Sequence, residues 1–475
     1  MRRLDVREWG LSEKITQLVL PPSNGTPPII RLHLRELEWW LNETNLSLLP
    51  KFLSPYLTKI VITTNTSRPG ETVEPWDNEL PNEVVPMIRS AINAFPSSLR
   101  TLHIALGIGP QTHLTEEVSI FILGHGEALR EFGTNIVLST QAIIHLMKVP
   151  HLSSWVTEQG PPEVTELIRH GVPDGAASLF PSLRVLMLRS EVGLEWLTLF
   201  EATKNRTPPW TVAGDCLSVL SFDHSGLPLD SSLISRILPF ASLVDVQISI
   251  GCLFRSCISR LVDQDVERLA IALPKLEALS LGEWPCSANT CPTTIRSLLS
   301  FSVHCTNLRY LNVHFRTENL RADILDMLGY AYSQGLHSRP KCSLKTLVTG
   351  EMHVRLSGCD PVLISMGILM IFPSLTEFVT WSPAWDRLGV LVTGLRQMER
   401  LPALTEKFMA FLNEARESVE NGVPAPSAVR PHLSLGLTGE YGWVFLFIDV
   451  TLCFFPQDEI ACMVCEPLSE MFGVI

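Results

Sequence analysis

The sequence lacks the concentrated positive charge that proteins binding nucleic acid usually carry. Its 37 lysines and arginines are outnumbered by 49 aspartates and glutamates, which gives a formal net charge of -12, and no Lys/Arg run stands out. Binding to a phosphate backbone depends on clustered basic side chains. We therefore expect no nucleic-acid partner.

Long apolar segments are also missing. The start, MRRLDVREWGLSEKITQLVL, is interrupted by Asp5, Glu8 and Glu13 before an apolar stretch develops, whereas a secretory signal peptide requires such a stretch. The apolar segment 442–455 contains Asp449 and is shorter than the ~20 residues that span a bilayer. We therefore expect a cytoplasmic or nuclear protein without membrane contact.

Cysteines are present, but not in a metal-binding or disulfide pattern. The chain has 11, an odd count, including the close pairs Cys286/Cys291 and Cys462/Cys465. Structural zinc requires four nitrogen or sulfur ligands at one point, and these pairs are far apart in sequence without a neighbouring Cys/His motif. We predict reduced thiols that are mostly buried, and no metal site.

The glycine-rich loops and nucleophile motifs of common enzymes are absent. The chain has no P-loop, no G-x-S-x-G and no H-E-x-x-H, and we predict no cofactor. The most enzyme-like feature is the acidic pair Asp263 and Asp265, since two carboxylates can hold a metal ion on a nucleotide-sugar. The favoured interpretation is that both residues open a helix, where acidic groups stabilise the N-terminus.

What the chain does contain is a recurring motif, Leu-x-x-Leu-x-Leu, whose six places we number 1 to 6; the residue that follows the motif is place 7. It is clearest in FPSLRVLMLRS at 180–190, LPKLEALSLGE at 273–283 and FPSLTEFVTWS at 372–382. Related copies have apolar residues or Thr at places 1, 4 and 6: Ile15/Leu18/Leu20, Leu57/Ile60/Ile62, Leu99/Leu102/Ile104, Leu217/Leu220/Phe222, Leu243/Val246/Ile248, Leu308/Leu311/Val313 and Leu344/Leu347/Thr349, with weaker copies at Leu129/Phe132/Thr134 and Leu152/Trp155/Thr157.

The spacing of the repeat motif predicts the fold. From Leu183 to Leu375 the motif recurs every 26 to 36 residues, a period typical of solenoids, and places 4 and 6 alternate as in a strand with one buried face. The segments 230–240 and 263–273 have an acidic start, an apolar face and a terminating proline, as amphipathic helices do. We predict an α/β fold, an irregular leucine-rich-repeat solenoid (horseshoe) with parallel strands on the concave face and helices outside.

Composition also suggests domain bounds. We predict a leucine-rich-repeat-like solenoid over 1–415 with a loop excursion at about 64–82, a linker over 416–435 and an atypical apolar C-terminal tail over 436–475. The loop is rich in Pro, Gly and acidic residues, and the linker contains the segment VPAPSAVRP, which is typical of connecting segments.

The repeat phrasing resembles a known family. The segments VPHLSSWVTEQGPP at 149–162 and LFPSLRVLMLRSEVGLEWLTLFEA at 179–202 are similar to fungal F-box proteins with degenerate leucine-rich repeats, and the resemblance covers roughly residues 10–415 by repeat phrasing. It implies a ubiquitin-ligase adaptor whose repeats hold a protein substrate. An F-box sequence does not occur in this chain, so a Skp-type linker and a cullin ligase are expected partners only if one is missing from it.

The places that flank the inward residues predict a binding surface. In a horseshoe, places 3, 5 and 7 of each motif line the concave face, where Trp, Tyr and Arg would anchor a partner. We expect an unknown protein to bind there, in a non-enzymatic scaffold; the alternatives are a transferase-like enzyme using Asp263 and Asp265, or a decayed paralogue without a partner. The candidate residues are Met187, Arg189, Asp223, Asp245, Gln247, Ser280, Tyr310, Asn312, His314, Glu377 and Trp381.

Overall fold

The structure is a computed structural model that describes most of the predicted repeat region. The described residues are 3–6, 34–41, 49–64, 84–106, 112–157, 180–188, 216–223, 229–249, 259–282, 292–316, 320–333, 342–349 and 360–380, with 389 and 392. The motif copy at Ile15, residues 65–82 of the predicted loop excursion, and the predicted linker and tail lie outside them. The domain bounds therefore stay predictions.

Within the described residues, thirteen strands form one parallel sheet in chain order. Each strand pairs with the strands of the preceding and following repeats, as predicted for one short strand per repeat. The strands are β1 (Arg3–Val6), β2 (Glu36–Leu41), β3 (Lys59–Thr64), β4 (Thr101–Ala105), β5 (Glu131–Thr134), β6 (Ser154–Thr157), β7 (Val185–Leu188), β8 (Val219–Asp223), β9 (Asp245–Ser249), β10 (Ala278–Leu281), β11 (Tyr310–Asn312), β12 (Thr346–Thr349) and β13 (Glu377–Thr380).

Helices connect many of these strands. The described α-helices are α1 (Leu49–Phe52), α2 (Val85–Asn93), α3 (Thr115–His125), α4 (Thr140–Lys148), α5 (Ser231–Ile237), α6 (Asp263–Ala272), α7 (Ser297–His304), α8 (Leu320–Ser333) and α9 (Asp360–Ile371). Successive helices pack on one another, for example α3 on α4 and α6 on α7. Among the described residues no helix is long and apolar enough to cross a membrane.

The buried core consists of the residues that the motif predicted. Leu276, Leu279 and Leu281 are all buried, and the corresponding apolar residues of the other described copies line the same core, including those of both weaker copies. The threonines at place 6 are buried as well, except Thr380, which is half-buried. The helices contribute their apolar faces, such as Val266 and Leu269 of α6. Burial of this shared apolar stripe is the main contribution to the stability of a repeat array.

Helix starts follow ordinary capping chemistry. The Asp230 carboxylate accepts hydrogen bonds from Ser232 N and Leu233 N at 3.0 and 3.2 Å, and α5 begins at the next residue. This confirms the N-cap predicted from the sequence. The helix ends at Ile237, before Pro239, whose ring cannot continue it.

Backbone hydrogen bonds fix the alignment of successive repeats just before each strand. The carbonyl at motif place 2 accepts two N–H groups from the next repeat: Arg100 O accepts from Arg130 N at 2.7 Å and from Glu131 N at 3.0 Å. The same arrangement recurs along the sheet. Equivalent places of different repeats therefore lie beside one another and form rows across the sheet.

Two strands were not predicted. Strand β2 contains Leu37 and Trp39 of an overlooked motif copy, Leu34/Leu37/Trp39, whose three side chains are buried. Strand β1 pairs with β2 from Arg3↔Glu36 to Val6↔Trp39. The sheet thus begins earlier in the chain than the regular motif copies indicate.

Candidate protein-interaction surface

One face of the sheet is available for binding. Places 4 and 6 are buried against the helices, so places 3 and 5 lie on the other face, which we call the open face. The register aligns these places into two rows. In chain order from β2, the place-3 row is Glu36, Lys59, Thr101, Glu131, Ser154, Val185, Val219, Asp245, Ala278, Tyr310, Thr346 and Glu377, and the place-5 row is Glu38, Val61, His103, Gly133, Val156, Met187, Ser221, Gln247, Ser280, Asn312, Val348 and Val379.

Five of the predicted binding residues lie on the open face with solvent exposure. Gln247, Tyr310 and Glu377 are exposed, while Met187 and Asp245 are half-buried. Strands β7, β9, β11 and β13 supply them, and the intervening strands bring them into one surface.

Asp245 and Gln247 form one polar group on β9. Gln247 Nε2 donates to both Asp245 carboxylate oxygens, at 3.2 and 3.1 Å. Burial raises the pKa of Asp245, and the hydrogen bond from Gln247 opposes that rise. A partner that covers this pair has to satisfy a partly desolvated carboxylate, which favours one that brings a donor or a cation.

Tyr310 lies beside a second polar group, formed by Thr346 and Glu377. It aligns with Thr346, which in turn aligns with Glu377, and Thr346 Oγ1 donates to Glu377 Oε2 at 3.0 Å. Burial and the neighbouring Glu377 carboxylate raise the pKa of the Tyr310 hydroxyl. Since 37% of the Tyr310 surface is exposed, it offers an aromatic ring and a protonated hydroxyl to a partner.

Ser280 and Asn312, also predicted to bind a partner, are more than nine-tenths buried. Asn312 Nδ2 donates to Ser280 Oγ at 3.0 Å and to Gly282 O at 2.5 Å, which links two neighbouring repeats. Gly282 has a φ of +123°, a conformation that favours glycine. These side chains offer little area to a partner, and their hydrogen bonds hold the two repeats together.

The remaining predicted residues have mixed placement. His314 follows β11 and is half-buried beside Gly282, where a Cβ would lie 3.2 Å from its Nε2. Asp223 ends β8, but its side chain lies outside what the structure describes, as do all of Arg189 and Trp381. Binding by any of these residues stays a prediction.

Sequence reasoning missed the amino-terminal part of the open face. Strands β2 to β5 contribute the charged and aromatic residues Glu38, Lys59, His103 and Glu131, with Lys59 Nζ 3.6 Å from Glu38 Oε1. The motif copies at Leu34, Leu57 and Leu99 could have revealed them, because places 3 and 5 follow from place 1. Burial lowers the pKa of His103, whose ring occupies the space where a Gly133 side chain would lie; Glu131 opposes that shift and Lys59 adds to it.

The acidic pair proposed for the enzyme alternative has internal structural partners. Asp263 accepts from Thr294 N at 2.7 Å and from Thr294 Oγ1 at 2.5 Å, which ties α6 to the following repeat. Asp265 is buried, accepts from Val262 N at 3.2 Å and lies 3.7 Å from Arg268 Nη1. This arrangement agrees with the helix-opening interpretation and gives the transferase alternative no support.

Two of the three described cysteines are buried, as predicted, and the third is exposed. Cys216 is exposed, while Cys305 and Cys342 are fully buried, and all three are unpaired. The Cys305 thiol donates weakly to Ala270 O and Leu273 O, each at 3.5 Å. Burial raises the pKa of Cys305 to about 12 and that of Cys342 to about 11, so neither is a reactive thiolate at neutral pH.

The described residues contain no group of three or more His, Cys, Asp or Glu side chains able to hold a metal ion. The cysteine pairs at Cys286/Cys291 and Cys462/Cys465 lie outside the described residues. A cleft of about 480 Å³ lies on the helical side between α2, α3 and α4, lined partly by His113, Glu116 and Ile120. It also contains the Arg89–Glu117 ion pair.

The architecture defines the class. One parallel strand per repeat, with leucine-type residues facing helices on one side, is a leucine-rich-repeat solenoid fold.

Comparison with known proteins does not assign the chain to a family. No protein-family model and no curated protein matches the chain. Among solved structures, the chain is similar to the leucine-rich repeat-containing protein LegL7 from Legionella pneumophila, with 13% identity, a TM-score of 0.28, and coverage of 79% of this chain and 97% of LegL7. A likeness at this level supports no functional transfer, so the fold assignment depends on the sheet and the burial pattern.

Proposed function

We propose that this chain is a non-enzymatic scaffold that binds another protein through the open face of its sheet. The observation that carries the proposal is the group formed by half-buried Asp245 and exposed Gln247, Tyr310 and Glu377, which strands β9, β11 and β13 hold on one parallel sheet. Aromatic and amide side chains on a preorganised surface bind with a small loss of conformational entropy. The acidic pair of the enzyme alternative, by contrast, is engaged in internal hydrogen bonds.

The finer form of the proposal concerns the type of scaffold. The repeat phrasing resembles the substrate-recognition part of an F-box ubiquitin-ligase adaptor, with the bound protein as the substrate of the ligase. A pull-down of the full chain with a purified Skp-type linker tests this form. Absence of binding would reject the adaptor role for this chain and leave the scaffold role standing.

The open face is tested with one tyrosine pair. Proximity labelling in cells identifies partners, and the affinity of the main partner is then measured for Tyr310→Ala and for the control Tyr330→Ala. Tyr310 lies on the open face, whereas Tyr330 is 54% exposed on α8. We expect Tyr310→Ala to weaken binding about tenfold, as loss of an aromatic anchor does, and Tyr330→Ala to leave it unchanged.

The opposite result for the two tyrosine variants would place the binding site on the helical side instead of the open face. If Tyr310→Ala binds normally and Tyr330→Ala does not, with both variants folded by circular dichroism, the partner binds the helical side. Trp381 would occupy place 7 of the last motif copy, and Trp381→Ala is expected to follow Tyr310→Ala.

A further inference from the structure

A row of arginines lies along the side of the sheet formed by the amino-terminal ends of its strands, which we call the edge of the sheet. Arg35, Arg100, Arg130 and Arg184 all occupy motif place 2, in the repeats of β2, β4, β5 and β7, and all four are exposed. We call them the arginine row. Successive members of the row are 30 to 65 residues apart in sequence, so the sequence shows no basic cluster.

The backbone brings the four residues into line. Arg130 N donates to Arg100 O at 2.7 Å, so these two arginines belong to adjacent repeats. Thr58 separates Arg35 from Arg100, and Ser153 separates Arg130 from Arg184, through the same type of bond. With strands ~4.8 Å apart, the row spans roughly 24 Å.

The residues between the arginines, Thr58 and Ser153, are uncharged, and their hydroxyl groups bind the backbone. Thr58 Oγ1 donates to Arg35 O at 3.1 Å, and Ser153 Oγ donates to Arg130 O at 2.9 Å. These hydroxyls are therefore directed to the backbone of the preceding repeat. The arginines remain as the charged groups of this part of the edge.

No described side chain of the protein neutralises the positive charge of the arginine row. Across the ranges that the structure covers, none of the four side chains has a hydrogen bond or an ion pair. Farther along the same edge, Arg309 Nε lies 3.9 Å from Glu277 Oε2. Like charges at equivalent places of adjacent strands repel each other, so an external anion would relieve the repulsion between Arg100 and Arg130.

The neighbouring row indicates what kind of anion fits. Glu36 and Glu131 occupy place 3 beside the arginine row, and the whole chain has a net charge of -12. A nucleic acid carries a dense, uniform negative charge that these groups would repel. A polypeptide can place carboxylates on the arginines and uncharged or basic groups over the glutamates, and guanidinium groups bind carboxylates in a bidentate manner.

We propose that the arginine row binds an acidic segment of a partner protein. This inference rests on the proposed scaffold function, and it adds the edge of the sheet to the open face as a second contact with stated chemistry. Binding should weaken as salt concentration rises, because exposed charges are screened.

The test uses two matched double variants of the full chain. Arg100→Gln with Arg130→Gln removes the adjacent pair, and Arg309→Gln with Lys345→Gln removes two exposed cations at the same place of adjacent repeats farther along. Fluorescence anisotropy follows binding of a labelled peptide that alternates Glu with Ser, a peptide that alternates Lys with Ser, and an oligothymidylate of equal length. Thermal unfolding is measured in parallel.

We expect saturable binding of the Glu/Ser peptide only, weakened about five- to tenfold in the Arg100/Arg130 variant and within about twofold of the parent in the Arg309/Lys345 variant. The melting temperature of the Arg100/Arg130 variant should stay unchanged or rise, because a repulsion is removed. A lowered melting temperature, equal losses in both variants or no saturable peptide binding would overturn the proposal. Preferred binding of the oligothymidylate would overturn it in favour of a nucleic acid.

The Tyr310→Ala protein, measured with the same Glu/Ser peptide, separates this inference from the proposed function. It should bind the peptide normally, since Tyr310 lies several repeats away from the arginine row. Failure of the peptide to bind, with a cellular partner still lost in Tyr310→Ala, would reject the arginine row and keep the open face as the binding surface.

Discussion

The two halves of the sheet, β2–β7 and β8–β13, are built on the same motif but present different chemistry. At place 5 the second half buries three successive residues, Ser280, Asn312 and Val348, whereas Met187 and its equivalents in the first half, apart from Gly133, are half-buried. At place 2 the first half has the arginine row, which forms no ion pair with any residue that the structure describes, whereas Arg309 Nε in the second half lies 3.9 Å from Glu277 Oε2. The inward places thus fix the fold, while the outward places are free to differ from one repeat to the next.

This difference suggests a division of tasks. In the second half, hydrogen bonds between neighbouring repeats, such as those from Asn312 to Ser280 and Gly282, use polar side chains for internal cohesion. At places 3 and 5 its exposed side chains are Tyr310, Glu377 and Gln247. The first half leaves its charge available to a partner.

The largest expected effect is on the free energy of unfolding, and it tests whether the two halves share one hydrophobic core. Trp155→Ala in the first half and Leu279→Ala in the second each remove a fully buried side chain, and the Trp155 ring lies 5.2 Å from that of Phe180. We expect losses of about 3–5 and about 2–5 kcal/mol in the free energy of unfolding, respectively. Chemical denaturation measures both, with Ser154→Ala as the control on the open face. A loss in only one half would contradict a common core.

A smaller effect should sharpen the comparison at high pH. Cys305 and Cys342 are buried in the second half with pKa values raised to about 12 and about 11, above the value near 9 of a free thiol. Between these values the unfolded chain binds fewer protons than the folded one, so stability falls as pH rises from about 9 and is unaffected below it. Each thiol should cost about 1.4 kcal/mol per pH unit in this window.

The measurement is the pH dependence of unfolding free energy for the parent and for a variant with Cys305→Ala and Cys342→Ala. The variant has a lower stability at pH 7 because of lost packing, so the slope is the quantity compared. Hydrogen exchange should show the alkaline loss first in the second half. An identical slope in parent and variant would show that these thiols do not titrate on unfolding.

The smallest of these effects concerns the polar link in the second half. Asn312→Ala removes hydrogen bonds to Ser280 Oγ and Gly282 O and should destabilise the protein by about 1–3 kcal/mol. Gln247→Ala, at the same place on β9 but exposed, should change stability by less than about 0.5 kcal/mol. Equal stability of the two variants would mean that a side chain at place 5 contributes the same to the free energy of unfolding whether it is buried or exposed.

Much of the fold could be predicted because the motif encodes it locally. The spacing of Leu183, Leu186 and Leu188 fixes which residues face the core, and the same spacing identified even the weak copies at Leu129 and Leu152. Strand β2 was missed although its copy at Leu34 has the same form. Strand β1 could not be found this way, since its segment RLDV does not show the full motif.

The candidate site was less predictable, because it depends on neighbours in other repeats. Asn312 was expected to contact a partner, yet Ser280 and Gly282 of the preceding repeat accept its hydrogen bonds and bury it. Asn135 shows a related case in the first half: its side chain accepts from Leu106 N at 2.9 Å and donates to Leu106 O at 2.7 Å.

The sequence by itself determined the repeat, its period and the side of each strand that is buried, because those properties follow from apolar spacing within a few residues. The tertiary structure alone decided which outward residues become neighbours. Parallel pairing sets Arg100 beside Arg130 and Tyr310 two strands from Glu377, across separations of about thirty to seventy residues in the chain. The physical reason is that strand register, set by backbone hydrogen bonds between repeats, turns distant single residues into rows.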